Sequence, residues 1–134
     1  MRIKFFLIFV ILIFIFLSSC AIEPISYDTE IHVHMLDHVF EPNTWHVPAG
    51  HEIILTISNA DSKPHDWTLI GGPIDRPFSE HDRQKVIFQV ILEPREVKSV
   101  TFLSPLGPGE YLVISTLDEN LNKNISGKLI VIQK

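Results

Sequence analysis

The feature that most constrains this chain is a series of short apolar stretches of period two, each cut off by proline, glycine or a polar cluster. Ile31, Val33 and Met35 alternate with His32 and His34, the spacing that turns apolar side chains to one face of a strand. Phe40-Glu41-Pro42-Asn43 breaks that strand, and Trp45 to Val47 resumes it. After the turn Pro48-Ala49-Gly50, Ile53, Leu55 and Ile57 share one face of a run from Glu52 to Asn59. Asp61 to Pro64 reads as a polar loop, and residues 71–84, rich in glycine, proline and charge, as a long one. Val86 to Leu92, Val97 to Phe102, Tyr111 to Thr116 and Lys128 to Ile132 supply the remaining strands. Past the N-terminal segment no long stretch carries an apolar period of 3.6. Seven or eight short strands with frequent turns predict an all-β fold, a Greek-key antiparallel β-sandwich.

The first 20 residues are of another kind. Arg2 and Lys4 make a basic start, Phe5 to Leu17 is an unbroken apolar run of thirteen residues, and Ser18 and Ser19 lead to Cys20, the only cysteine. The run is shorter than the roughly 20 apolar residues of a membrane span and fits the core of a secretory signal peptide. Leu17-Ser18-Ser19-Cys20 resembles the lipobox of bacterial lipoproteins. That resemblance implies cleavage before Cys20, lipid on its sulfur, and a domain held outside the cytoplasm, on the periplasmic or cell-surface side of a membrane. An ordinary signal peptide with an incidental cysteine and an uncleaved single-span anchor are the alternatives. The expected division is a signal peptide over residues 1–19, a lipidated tether over 20–29 and a single domain over 30–134.

Charge and size narrow the functions open to that domain. Losing Arg2 and Lys4 with the signal peptide takes the formal charge from −5 to −7, which repels phosphate backbones and excludes nucleic acid as the expected partner. With Cys20 acylated there is no free thiol for a disulfide, a zinc–thiolate site or a cysteine nucleophile. A domain of this length buries well over half of its unfolded surface and needs no metal to fold.

Three segments together resemble the cupredoxin family: Phe40 to Leu69 (FEPNTWHVPAGHEIILTISNADSKPHDWTL), Leu92 to Ser115 (LEPREVKSVTFLSPLGPGEYLVIS) and Asn124 to Ile132 (NISGKLIVI). They follow the family's order and cover most of residues 30–134. The resemblance implies a cupredoxin-like sandwich with copper at one end between two loops, held by a histidine, a cysteine, a second histidine and a methionine. The first histidine corresponds to His65, and parity supports it independently, since His65 shares a strand face with Trp67 and Leu69. The cysteine position holds Ser115, in phase with Tyr111 and Val113. The second histidine would fall near Asp118 or Asn120, and the methionine falls on Ile125. A blue-copper centre needs a thiolate with two imidazoles; a serine hydroxyl cannot supply it and isoleucine ligates nothing, so one-electron transfer through such a site is disfavoured.

Seven histidines raise a second possibility: His32, His34, His38, His46, His51, His65 and His81. His32 and His34 share the face opposite Ile31 and Val33, so they are expected in solvent, as are His46 and His51 around the Pro48–Gly50 turn. His81 lies in the long loop. His38 follows the first strand at the end where copper would lie. A sulfur-free site of His65, His38 and Asp118 would suit Cu(II) or Zn(II); otherwise His65 is expected to hydrogen-bond a backbone carbonyl. A Ser115–His65–Asp118 triad lacks a strained Gly-x-Ser-x-Gly turn, and no paired carboxylates mark an acid–base site. The expectation is a non-enzymatic, membrane-anchored envelope lipoprotein with a degenerate copper site. It would be a binding or interaction module with an envelope protein as partner and no cofactor. Copper at the His65 site is the alternative.

Overall fold

The computed structural model describes residues 26–36, 39–75, 78–117 and 125–133. Cys20, the signal peptide, Asp37, His38, Asp118 and Asn120 lie outside the described residues. Nine strands are described: β1 (Glu30–Leu36), β2 (Val39–Glu41), β3 (Thr44–Pro48), β4 (Glu52–Asn59), β5 (His65–Ile70), β6 (Val86–Leu92), β7 (Val97–Leu103), β8 (Gly109–Ile114) and β9 (Ser126–Ile132). They form two sheets, one ordered β2-β1-β4-β7 and the other β3-β9-β8-β5-β6. The expected sandwich is therefore present. Its pairings are antiparallel except for two parallel ones, β1 with β4 and β3 with β9. Both follow from the path of the chain, which leaves the first sheet after β2, crosses at Pro42 and enters the second as β3.

Period-two patterning decides what is inside. In β1, Ile31, Val33 and Met35 are buried while His32 and His34 are exposed; in β4, Ile53, Leu55 and Ile57 are buried. Trp67 centres the core, its ring 5.8 Å from Trp45 and 5.6 Å from Phe102, and Phe88 stacks on Phe102 at 5.0 Å. Offset and edge-on contacts of this kind add about 0.5–1.5 kcal/mol per pair beyond the area they bury. Gly127 makes room for this packing: a Cβ there would lie 2.7 Å from the Asn43 carbonyl oxygen and 2.8 Å from the Trp45 ring.

Two departures from the expected strands are informative. Phe40 and Glu41 do not merely break β1; they belong to β2, which pairs back on it with Leu36 opposite Val39. The predicted loop over 71–84 contains a 3-10 helix, Glu80–Lys85. Its charges are partly turned inward. Asp82 is buried and accepts bonds from the Ser79 amide (2.9 Å) and hydroxyl (2.8 Å) and from Lys85 Nζ (2.9 Å). An acid three residues past a serine that reaches back to its amide is half of a capping box, so the charge that suggested a solvated loop instead caps a helix.

Loops meet at one end of the sandwich. The Ala60 amide donates to the Met35 carbonyl, the Asn59 amide to the Glu96 carbonyl and the Ser115 amide to the Ile125 carbonyl. At the other end the chain is tied to the domain from Asp28 onward, by Asp28 N to His46 O (2.9 Å) and Ile54 N to Thr29 O (2.8 Å). Among the described residues no helix is long and apolar enough to cross a membrane.

Candidate functional site

Asn59, the last residue of β4, builds the first wall of the site. It is buried, and its amide donates to the Lys63 (2.8 Å) and Glu93 (3.1 Å) carbonyls while its oxygen accepts from the Asp61 amide (2.9 Å). A buried side-chain amide is stable only when bonded in this way. The bonds fix the loop from Ala60 to Pro64, which delivers His65 to the start of β5. As its parity requires, His65 is buried, in register with Leu92 of β6. Its Nε2 lies 3.0 Å from Asp61 Oδ2, so it meets a carboxylate where a backbone carbonyl was expected. The carboxylate can only accept, so Nε2 is the donor.

The next residue dominates the site, and the strand pattern did not single it out. Asp66 is fully buried, and its two oxygens accept three hydrogen bonds each. Oδ1 receives Ser115 Oγ (2.9 Å), Thr116 N (2.6 Å) and Leu117 N (3.0 Å). Oδ2 receives Gln89 Nε2 (2.9 Å), Thr116 Oγ1 (2.8 Å) and the Thr68 hydroxyl. A carboxylate offers about four lone-pair sites, so this one is saturated. The donors come from β5 itself, from β6 and from the segment after β8, so one side chain clamps three neighbouring parts of the sheet. All six residues of β5 are buried, because the polar face of that strand is covered too. The readable sign was Asp66 with Thr68 two residues on, a polar pair sharing one face of an otherwise apolar strand.

Ser115 and Ile125 stand beside this clamp. Ser115 is buried, its hydroxyl given to Asp66 Oδ1, and its own oxygen lies 3.4 Å from the Asp66 amide. Ile125 is buried within the apolar core. His65, Ser115 and Ile125 thus come to the same end of the sandwich, while His38, Asp118 and Asn120 lie outside the described residues. The other histidines take separate places. His32 and His34 are exposed on β1, 3.5 Å from Glu30 Oε1 and 2.7 Å from Ser58 Oγ respectively. His46 and His81 are exposed, and the half-buried His51 bonds the Ala49 carbonyl at 2.7 Å.

The sequence profile of the cupredoxin-like domain matches residues 7–131. The chain belongs to the cupredoxin-like domain family. Its cupredoxin-like sandwich is similar to auracyanin from the photosynthetic bacterium Roseiflexus castenholzii, with a TM-score of 0.66, 21% identity, and coverage of 80% of this chain and 99% of that one. Auracyanin A, a "blue" copper protein of the green thermophilic photosynthetic bacterium Chloroflexus aurantiacus, gives 0.63 and 21%, over 77% and 98%. A multicopper oxidase, mgLAC, gives 0.53 and 16%, over 78% of this chain and 39% of its own. No protein with a curated description matches the chain.

Copper is the group this family implies, and the residues present do not fit a thiolate copper centre. The cysteine position offers a hydroxyl already donated to Asp66, and the methionine position a hydrocarbon packed in the core. Among the described residues no group of three or more histidine, cysteine, aspartate or glutamate side chains is placed to hold a metal. Where a copper site would join two loops through sulfur and nitrogen, Asp66 joins them through oxygen.

Proposed function

We propose that this chain is a membrane-anchored lipoprotein outside the cytoplasm whose cupredoxin-like domain is a non-enzymatic binding module. The Ser115–Asp66 bond carries this reading. It fills the thiolate position with a satisfied hydrogen-bonded network, so Asp66 ties β5 to the segment after β8 without metal, and that position offers no thiolate to carry an electron.

The path of the chain supports an outward-facing site. The described chain enters β1 at the end opposite the loops, and the seven residues of β1 cover about 20 Å at roughly 3.3 Å each. A lipid on Cys20 would therefore join the domain at the end opposite the loops. Leu36, Val39, Val97 and Leu117 are exposed around that end, an apolar rim of the kind that marks protein–protein contact. An envelope protein is the partner such a rim suits.

Titration of the purified protein with Cu(II), followed by paramagnetic resonance and visible absorption, tests the reading. No stoichiometric binding is expected. Intense absorption from a copper–sulfur bond would overturn it. Stoichiometric binding without that band would move the function to a sulfur-free site, with His65, His38 and Asp118 as ligands. Membrane attachment is tested separately by mass spectrometry of the membrane-extracted protein: a chain that begins at a lipid-bearing Cys20 is expected, and an unmodified Cys20 would refute the lipid anchor.

A further inference from the structure

We infer that the free edge of β6 pairs with the same strand of a second copy, extending the five-stranded sheet across a dimer. This inference is independent of the loop end and concerns the flank of the sandwich. β6 is the outermost strand of its sheet, seven residues long, with the sequence Val86-Ile87-Phe88-Gln89-Val90-Ile91-Leu92. An edge strand presents unpaired backbone groups, and natural sheets blunt such edges with shortness, proline, charge or bulges. The other edges are blunted. β2 has three residues and runs into Pro42, β3 ends in Pro48, and β7 carries Lys98. In β6 the register shift opposite Leu69 and Ile70 disturbs only the first residues. From Phe88 to Leu92 the strand is regular and uncharged.

The occupant follows from side chains and charge. Ile87 and Ile91 stand on the outer face at 43% and 45% exposure, with Gln89 between them. Reversed, Ile87 to Ile91 presents nearly the same pattern, so an antiparallel two-fold pairing centred on Gln89 sets Ile87 against Ile91 and Phe88 against Val90, with the two neutral Gln89 side chains facing each other. Such an isologous contact closes on itself. The formal charge of −5 makes two copies repel where their charged faces meet. β6 itself carries no ionisable side chain, so two copies can approach along it with only the Lys98 ammonium of the neighbouring strand to move. A basic partner would instead prefer the acidic faces.

One residue restrains this pairing. Lys98 of β7 reaches over to donate to the Ile91 carbonyl at 2.6 Å and is itself held by Glu96 at 3.1 Å. That carbonyl therefore opens on the free side, and strand alternation puts the backbone groups of Gln89 on the same side. Pairing has to displace Lys98 or share the oxygen with it.

The test uses the full chain in detergent micelles, with mass read by sedimentation at protein concentrations up to several hundred micromolar. The wild type is expected to form a dimer that dissociates on dilution. The double variant Ile87→Lys with Ile91→Lys should be monomeric throughout, with unchanged circular dichroism because both side chains are already exposed. Lys98→Ala should shift the dissociation midpoint to lower concentration, by roughly 3-fold or more. A wild type that stays monomeric, a double-lysine variant that stays dimeric, or a Lys98→Ala variant that dissociates more readily would each overturn the inference.

Discussion

Asp66 and Asp82 are both sealed from solvent, at opposite ends of β5 and the loop that follows it, and they are satisfied in different ways. Asp82 has a cation: Lys85 Nζ lies 2.9 Å away, and its other partners are Ser79 and the Asp75 amide. Every donor to Asp66 among the described residues is neutral. They also differ in reach. The partners of Asp82 lie three to seven residues away in sequence, whereas Asp66 draws on Gln89 at a separation of 23 and on Ser115, Thr116 and Leu117 at 49 to 51. One carboxylate finishes a local turn. The other closes contacts that exist only once the sheet is assembled. Asp66 should therefore report on global stability and Asp82 on its own loop.

Asp66→Ala is the largest expected effect. It leaves buried hydroxyls and amides without an acceptor, and unmet buried donors cost about 1–3 kcal/mol each but do not add in full, so roughly 3–4 kcal/mol should be lost. Denaturant unfolding followed by the fluorescence of Trp45 and Trp67, both in the core, measures it as a lower midpoint. A change below about 1 kcal/mol would place Asp66 with Asp82 as a local device and remove the contrast. Asp66→Asn should cost less, about 1–2 kcal/mol, because the amide keeps one acceptor while turning a donor toward Gln89, Thr116 and Thr68. Ser115→Ala removes one of six bonds and should cost about 1 kcal/mol, without changing the slope of the unfolding curve.

How far these two sites could be read beforehand depended on the kind of pattern each one leaves. Alternating apolar residues in β1 and β4, and the shared phase of His65, Trp67 and Leu69, read directly as strand faces because the side-chain period of a strand is fixed. Ser115 and Ile125 were legible as substitutions because neighbouring motifs set the frame. Asp66 was not, since its partners are scattered over three segments and no local spacing announces them. The 3-10 helix was hidden for the opposite reason: charge in residues 71–84 reads as solvent exposure, and nothing in composition says that Asp82 turns inward. Asn59 likewise reads only as the end of a strand, although three hydrogen bonds of its side chain shape the loop before His65.

The smallest effect on overall stability belongs to Asp82, and it carries a pH signature. The Lys85 ammonium first, then the Ser79 amide, hold its carboxyl well below the ordinary value of 3.8, against the opposing effect of desolvation. A depressed native value means that the group contributes stability that is complete above its unfolded value and is lost as the pH falls through the native one. Hydrogen exchange at the amides of Asp75 and Ser79, which both donate to this carboxylate, should therefore be well protected at neutral pH. Protection corrected for intrinsic rate should begin to fall once the pH drops below about 4. Asp82→Asn should show fast exchange at both amides without that pH dependence, and its unfolding midpoint should move less than that of either Asp66 variant. Lys85→Met separates cation from cap: with the ammonium gone the native value is less depressed, so the acid-induced loss should still begin below about 4 but be smaller and be complete at a higher pH, while the Ser79 contacts persist. If Lys85→Met left the size and end point of the loss unchanged, the depression would come from the serine contacts, and the two aspartates would differ in the reach of their contacts but not in their need for a cation.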